Sequence, residues 1–342
     1  MALRIAINGF GRIGRTAFKQ ALERSEDIEV VAINDLAQPE NLAYLLRYDS
    51  VYGPYGKNVS VRGEAGSARL VVDGKEFPLF SQKDPAQLPW RDLQVDVVIE
   101  STGVFTSTEK AEAHLDAGAK RVVISAPAKD DTPTKLVGVN AKDFEDSALA
   151  RITSDASCTT NAVAPLMAIL MVNPGVQKSL MTTVHGYTAS QSLVDGPSDK
   201  DFLRGRAAAA NIVPSHTGAA VATGKAIAGI GDTFDALAIR VPVITGSLVD
   251  LTFLASRKTS AEEINDIFRK AAQDEYWQDI FTVTEEPLVS TDIIGNPHAS
   301  IADLTFTRVV DGDLVKVLSW YDNEWGYTNT LLGHVIAVGK LG

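Results

Sequence analysis

The stretch RIAINGFGRIGR, residues 4–15, decides the fold. Its first half is apolar at nearly every position, the pattern of a strand buried on both faces. Gly9, Gly11 and Gly14 then form G-x-G-x-x-G where the strand pattern stops and a helical one begins. Glycines there permit a tight turn and close backbone approach, so the helix N-terminus can face a pyrophosphate. The pattern alone is weak, and a chance turn is its bland reading. Its setting is stronger: the next strand pattern, IEVVAIN (28–34), leads into Asp35, 26 residues after Gly9, where a carboxylate can hold a ribose hydroxyl. Strand, glycines, helix, strand and acid in that order predict a dinucleotide site.

Outward from this unit the alternation continues. VDVVIES (95–101) and KRVVISA (120–126) read as further doubly buried strands. TSTEKAEAHLDAG (106–118) reads as a helix, with a capping box from Thr106 to Glu109 and Gly118 at its C-terminal end. Residues 58–80 read as an inserted antiparallel hairpin turning at Asp73-Gly74. A mostly parallel sheet with helices on both faces is expected up to residue 157. After residue 170 the strands lengthen: MTTVHGY, FDALAIRVPV, SLVDLTFLAS and a hairpin turning at Asp311-Gly312. These predict an α+β second domain with a mostly antiparallel sheet. The expected domains are 1–157 and 158–321, with an amphipathic C-terminal helix in 322–342 returning to the first. Residues 188–211 hold no periodic element before the alanines, and a loop that long is usually functional.

Composition narrows the function. The chain has 342 residues, enough for about two domains, and is 45% hydrophobic and 22% charged, as in ordinary globular proteins. Its formal net charge of −11 gives nucleic acid no general attraction, so an anionic substrate needs a local cluster of Arg or Lys. The N-terminus is too short and polar for a signal peptide, and no apolar run approaches the roughly 20 residues that span a bilayer. A single cysteine excludes an intrachain disulfide and a multi-cysteine metal site, and suits a reducing cytoplasm. No metal site is expected.

That cysteine, Cys158, opens an apolar helical run in SDASCTTNAVAPLMAIL (154–170). An inert core thiol is the bland reading, but Ser157, Thr159, Thr160 and Asn161 surround it with polar groups. At a helix N-terminus, unsatisfied N–H groups and the helix dipole favour thiolate. His185 ends an apolar strand 27 residues on, just before the long loop. Alone it reads as structural; beside Cys158 it would be a base activating a nucleophile. Arg240, inside an apolar strand, reads either as a buried ion pair or as an anion contact. Arg204 and Arg206 read as surface charges, and Thr217-Gly218 as a further anion-binding helix start.

With these motifs in place, the sequence resembles phosphorylating glyceraldehyde-3-phosphate dehydrogenases of bacterial type. The match runs through INGFGRIGR, AIND, ESTGVF, VVISAPAKDD, SCTTN, HGYTASQ, VDGPS, TGAA, RVP and WYDNEWGYTN, in order along the whole chain. The resemblance implies a Rossmann NAD-binding domain and a catalytic domain. It also implies a cytoplasmic homotetramer, in which the loop from 188 reaches a neighbouring subunit's cofactor site. It makes Cys158 the nucleophile and His185 its partner. Arg12, Ile13, Asp35, Lys83, Ser125 and Asn323 match NAD contacts, beside the glycines. Ser157, Thr159, Thr188, Thr217, Gly218 and Arg240 match anion and substrate positions. Arg204 matches a phosphate-binding arginine, a role that a one-residue slip would move to Arg206. Lys83 stands where some relatives have Arg. Ala162 stands where a second cysteine is common, and Thr245 where Asn is common. The implied partners are glyceraldehyde 3-phosphate and inorganic phosphate, with NAD, not NADP, as cofactor because Asp35 would repel a 2′-phosphate. Erythrose 4-phosphate oxidation by the same chemistry is the nearest alternative. A nucleotide-sensing or RNA-binding protein using the first domain alone is the alternative of another class, disfavoured by the net charge.

Overall fold

The computed structural model describes residues 2–64, 67–146, 148–199 and 201–341. The chain divides into two compact units. The first comprises Met1–Lys135, Ala141–Ala156 and Leu331–Gly342; the second comprises Leu136–Asn140 and Ser157–Thr330.

The first unit holds strands β1 (Leu3–Asn8), β2 (Ile28–Asn34), β5 (Val59–Arg62), β6 (Arg69–Val72), β7 (Lys75–Phe80), β8 (Val97–Glu100), β9 (Arg121–Ile124) and β10 (Ile152–Ser154); β3 (Tyr48–Asp49) and β4 (Gly53–Pro54) pair apart. The main sheet runs β10-β9-β8-β1-β2-β7-β6-β5. From β10 to β7 every neighbour is parallel. Helices α1 (Arg12–Glu23), α2 (Pro39–Arg47) and α3 (Thr108–Asp116) belong to this unit. Chain order reverses at β1, which has β2 on one side and β8 on the other, and ligands of open α/β sheets bind at the carboxyl ends of such a switch point. The core there is apolar: Trp90, Val98, Val122 and Ile124 are fully buried.

The glycine turn lies at that switch point. Gly9 has φ +94°, and a Cβ on it would come 2.7 Å from the Ser101 and Thr102 backbone, directly after β8. On Gly14 a Cβ would come 2.0 Å from the Gly9 carbonyl oxygen. Only glycine allows α1 to start this close to β1.

The expected antiparallel hairpin of residues 58–80 forms, and it joins the main sheet because β7 pairs in parallel with β2 as well as antiparallel with β6. Its turn is as expected, with Asp73 and Gly74 both at positive φ. The Thr106–Glu109 capping box does not form: the N-cap is Ser107, and Asp130 Oδ2 accepts from the Thr108 amide instead, at 2.8 Å. An acid distant in sequence thus satisfies an orphan helix donor.

The second unit carries β11 (Val176–Gly186), β12 (Val213–Ser215), β13 (Phe234–Val241), β14 (Ser247–Ala255), β15 (Phe281–Thr284), β16 (Ser300–Val310) and β17 (Leu314–Tyr321). Their order is β12-β13-β11-β14-β17-β16-β15. The β11–β13 and β15–β16 pairs are parallel and the other four antiparallel. Helices α4 (Cys158–Val172), α5 (Ala219–Ala226) and α6 (Ala261–Ala272) accompany this sheet, α4 packing on β11, β14, β16 and β17. Helix α7 (Trp325–Gly339) begins in this unit, and its residues from Leu331 belong to the first. The expected amphipathy of this helix is absent: its less buried side carries Trp325, Gly333, Ile336 and Ala337 and no charge, so it is apolar nearly all round. Residues 322–330, placed with the first domain by sequence, fall in the second unit. Asp322 fastens them there by accepting from the Gly295, Glu324 and Trp325 amides.

Gly14→Ala should cost about 1–3 kcal/mol of stability through overpacking against Gly9 and weaken NAD binding. Urea unfolding and a cofactor titration measure both effects, and two unchanged values would mean the turn is not this tight.

Candidate active site

In the second unit, helix α4 starts at Cys158. Ser157 caps it, its hydroxyl oxygen accepting from the Thr160 amide at 3.1 Å. Satisfying that donor defines the first turn and leaves Cys158 half-buried at its start. His185 lies near the end of β11 and is 3% exposed; its Nε2 sits 3.3 Å from Cys158 Sγ. Arg240 is its register partner on β13. One guanidinium nitrogen, Nη1, lies 2.6 Å from His185 Nδ1 and donates to the Gly186 carbonyl at 3.1 Å. Cys158, His185 and Arg240, separated by up to 82 positions, form one contiguous cluster.

The electrostatics differ from the sequence expectation. Burial pushes the Cys158 thiol up; Arg240 and hydrogen bonds from Thr159 and the helix-start amides oppose that rise. Burial, reinforced by Arg240, holds His185 down to about 3. The imidazole is therefore neutral at neutral pH, and Arg240, not an imidazolium, is the cation that favours thiolate. A neutral ring whose Nε2 faces a thiol can receive its proton.

Two groups in this cluster were missed by sequence reasoning. The Tyr321 hydroxyl lies 3.0 Å from Thr159 Oγ1 and 2.8 Å from Thr183 Oγ1, and its ring packs edge-on to His185. Burial raises its pKa further above the ordinary tyrosine value, so it stays a neutral donor. Ser247 accepts from the Gly186 amide at 3.2 Å and donates to Asn323 Oδ1 at 2.8 Å. Their only sequence signal was position within strands. Thr159 is 4% exposed, and its hydroxyl lies against Tyr321.

The other anion candidates separate by partner. Arg204 donates to Ser215 Oγ from Nε and Nη2 (3.2 and 3.1 Å) and to Ser190 Oγ from Nη1 at 3.4 Å. Ser190 is 2.9 Å from the Thr188 hydroxyl, so Arg204, Thr188 and the strand leading to Thr217 form one network. Thr217 Oγ1 accepts from the Ala219 amide, and Gly218 is the N-cap of α5. Arg206 is exposed and paired with Asp195 at 3.0 Å. The loop holding both is ordered by its own backbone: Gly196 and Gly205 bond at 2.8 Å, Ser192 and Arg204 at 2.9 Å. Thr245 is buried, and its hydroxyl has no hydrogen-bond partner among the described residues.

In the first unit, the Phe10 amide donates to Asp35 Oδ2 at 2.7 Å, which joins the acid to the glycine turn. Gly11 is the N-cap of α1, has no side-chain cap and has open space at its Cβ. Arg12 is half-buried and paired with Asp49 at 2.8 Å; Ile13 is half-buried beside it. Lys83 is exposed and follows Gln82, whose backbone exchanges two hydrogen bonds with the Asn34 side chain. Ser125, at the carboxyl end of β9, donates to the Glu100 carbonyl at 3.1 Å. Asn323 belongs to the second unit. Uncapped amides, an open Gly11 and a nearby carboxylate form a cradle that fits a dinucleotide.

Residues 3–108 match the family model described as the NAD binding domain of glyceraldehyde 3-phosphate dehydrogenase, and residues 157–323 match that of its C-terminal domain. The chain belongs to this family. Glyceraldehyde-3-phosphate dehydrogenase family members similar to it include "Glyceraldehyde-3-phosphate dehydrogenase 2" of Streptomyces avermitilis, 47% identical over 340 residues and 99% of both chains. That of Mycobacterium avium is 48% identical over 344 residues, again 99% of both. That of Kitasatospora aureofaciens is 49% identical over 329 residues, covering 96% of this chain and 97% of the relative. As a member of the family, the chain is an NAD-dependent oxidoreductase. Among the described residues no cluster of potential metal ligands occurs, and no helix is long and apolar enough to cross a membrane.

A pH effect follows from His185. Its pKa is about 3 in the folded chain against an ordinary 6.5, so the unfolded state binds the extra proton between these values. The resulting stability is present above pH 6.5 and lost as pH falls towards 3. His185→Gln should therefore show a shallower loss of stability than the parent over that window in urea melts. Parallel curves would show that the ring is not held neutral.

Proposed function

We propose that this protein oxidises glyceraldehyde 3-phosphate and captures the acyl group with inorganic phosphate as 1,3-bisphosphoglycerate. The observation that carries the reading is the 3.3 Å contact between Cys158 Sγ and His185 Nε2, backed by Arg240. In this reading His185 Nε2 takes the thiol proton as Cys158 Sγ attacks the aldehyde carbon, then returns it to the oxyanion, giving a hemithioacetal and a free Nε2. The helix-start amide of Cys158 steadies the developing oxyanion. His185 next takes the hemithioacetal hydroxyl proton, and oxidation leaves a thioester on Sγ. NAD, when bound, supplies the hydride acceptor. Gly9, Gly11, Arg12, Ile13 and Gly14 would hold its pyrophosphate, Asp35 its ribose, and Lys83, Ser125 and Asn323 further contacts. Phosphate oxygen then attacks the thioester carbon, the acyl phosphate leaves, and Cys158 is regenerated.

Two anion positions serve this chemistry, one from Thr188 with Arg240 and one from Ser157, Thr217, Gly218 and Arg204. Each arginine has an acidic neighbour, Asp201 for Arg204 and Asp195 for Arg206, and what supports Arg204 is its network with Ser190, Thr188 and Ser215. Arg240→Leu should raise KM for the phosphorylated aldehyde severalfold or more, since a charge-assisted contact contributes about 1.5–3 kcal/mol. Arg204→Leu should mainly raise KM for phosphate, whereas Arg206→Leu should leave it near the parent value. Initial rates of NADH formation with varied phosphate measure both. Multiple turnover without phosphate would sink the scheme.

The working form proposed is a cytoplasmic homotetramer. Exposed Leu193, Val194, Phe202 and Leu203 on the long loop, and Leu180, Leu237 and Leu314 on the second unit's sheet, support burial against further copies. Sedimentation equilibrium should give four times the 36.6 kDa chain mass, and a monomer would overturn this assembly.

A further inference from the structure

We infer that His334 is a positioning residue for Cys158, acting through the carboxylate of Asp155. Both side chains are fully buried, 179 positions apart in sequence, with His334 Nδ1 3.0 Å from Asp155 Oδ1. The other ring nitrogen, Nε2, is 2.8 Å from Thr153 Oγ1, and the Phe144 ring packs edge-on at 5.0 Å. Facing a carboxylate, Nδ1 carries the proton, so in the neutral ring Nε2 accepts from the Thr153 hydroxyl. Carboxylate, imidazole and hydroxyl in that order resemble a nucleophilic triad. Thr153 is only 1% exposed, however, so substrate has no access to it and the relay must hold something in place.

What it holds is the turn that ends in Cys158. Asp155 leads into Ala156, whose φ of +55° lies in the left-handed region that a Cβ disfavours. Such a conformation persists only where its surroundings over-determine it. The Ala156 amide donates to Ser154 Oγ at 3.0 Å, Ser154 Oγ donates to the Ala126 carbonyl at 2.7 Å, and the Asp155 amide donates to the Ile124 carbonyl at 3.0 Å. The His334 ring holds the Asp155 side chain from a distant helix. Ser157, which caps α4, and Cys158 follow directly in the chain. Burial pushes the Asp155 carboxyl up to about 6, and His334 opposes that rise. The contact was invisible in the sequence, where His334 stood only as one of five histidines.

The inference rests on the Cys158 reading above, and the two fail differently: turnover surviving in Cys158→Ser would remove that reading, whatever His334 does. In the full-length enzyme, His334→Leu should lower kcat about tenfold or more, as small misplacements of reacting groups do. Its KM values for aldehyde and NAD should stay within about threefold, because no binding contact is removed. Alkylation of Cys158 by iodoacetamide at pH 7 should slow alongside kcat. His334→Asn, whose amide can still donate to Asp155, should recover most of both rates. Unchanged kcat and alkylation in the Leu variant, or an Asn variant no better than Leu, would overturn the inference. Should the Leu variant not fold, Thr153→Val removes only the hydroxyl at Nε2. A fall in its kcat at unchanged melting temperature supports the positioning role, and an unchanged kcat overturns it.

Discussion

The parallel register between β11 and β13 is the constraint on which the candidate site depends. It sets His185 beside Arg240, and from there the guanidinium reaches both His185 Nδ1 and the Gly186 carbonyl. Strand side chains alternate faces, so a slip of one residue would turn one of the two away from the other. The register is itself held by packing: along β11, Ser179, Met181, Thr183 and His185 are buried while Leu180 is exposed. The buried face meets α4, which carries Cys158 at its first position. Burying a polar ring and a cation this way is costly unless each finds partners. Here the Cys158 thiol and the Gly186 carbonyl supply them, beside the contact of imidazole and guanidinium with each other.

The first unit solves a similar problem at its glycine turn. Glu100 is fully buried at the end of β8 and accepts from Asn8 at 2.6 Å, from the Thr102 amide at 2.9 Å and from the Thr102 hydroxyl. His114 Nε2 lies 3.1 Å from the same carboxylate, and its Nδ1 accepts from Trp90 at 3.0 Å. Since Trp90 can only donate, His114 must carry its proton on Nε2 and give it to Glu100. Asn34 continues the chain from Asn8 to Gln82. Every member has a partner, the condition under which a buried polar network rigidifies a site. It sits beneath Gly9 and keeps the end of β1 fixed against the end of β8.

Charge is used sparingly in both places. An acidic chain gains nothing by attracting anions with its overall field, so local cations do that work. Burial, reinforced by Arg240, holds the imidazole neutral while Arg240 also acts on the thiol, which lets a buried histidine be a proton acceptor instead of a fixed charge. Arg204 donates to Ser190 and Ser215, which carry no charge, and pairs with Asp201 at 3.3 Å.

What the sequence determined by itself was whatever depends on neighbours along the chain. The G-x-G-x-x-G turn, the buried parallel strands, the Asp73-Gly74 and Asp311-Gly312 turns and Cys158 at a helix start all follow from local sterics and periodicity. Resemblance added the family and the likeness of its site residues, position by position. Only the tertiary structure decided the contacts between distant segments. It joined β7 to β2, gave the α3 cap to Asp130 instead of Thr106, and turned Thr159 towards Tyr321. It also fixed the direction of the titrations, since burial depends on what packs over a group, and no short window of sequence contains that. His185 and His334 show the difference: both are isolated histidines in sequence, and the folded chain alone supplies the burial and the arginine that keep one neutral and the carboxylate that anchors the other.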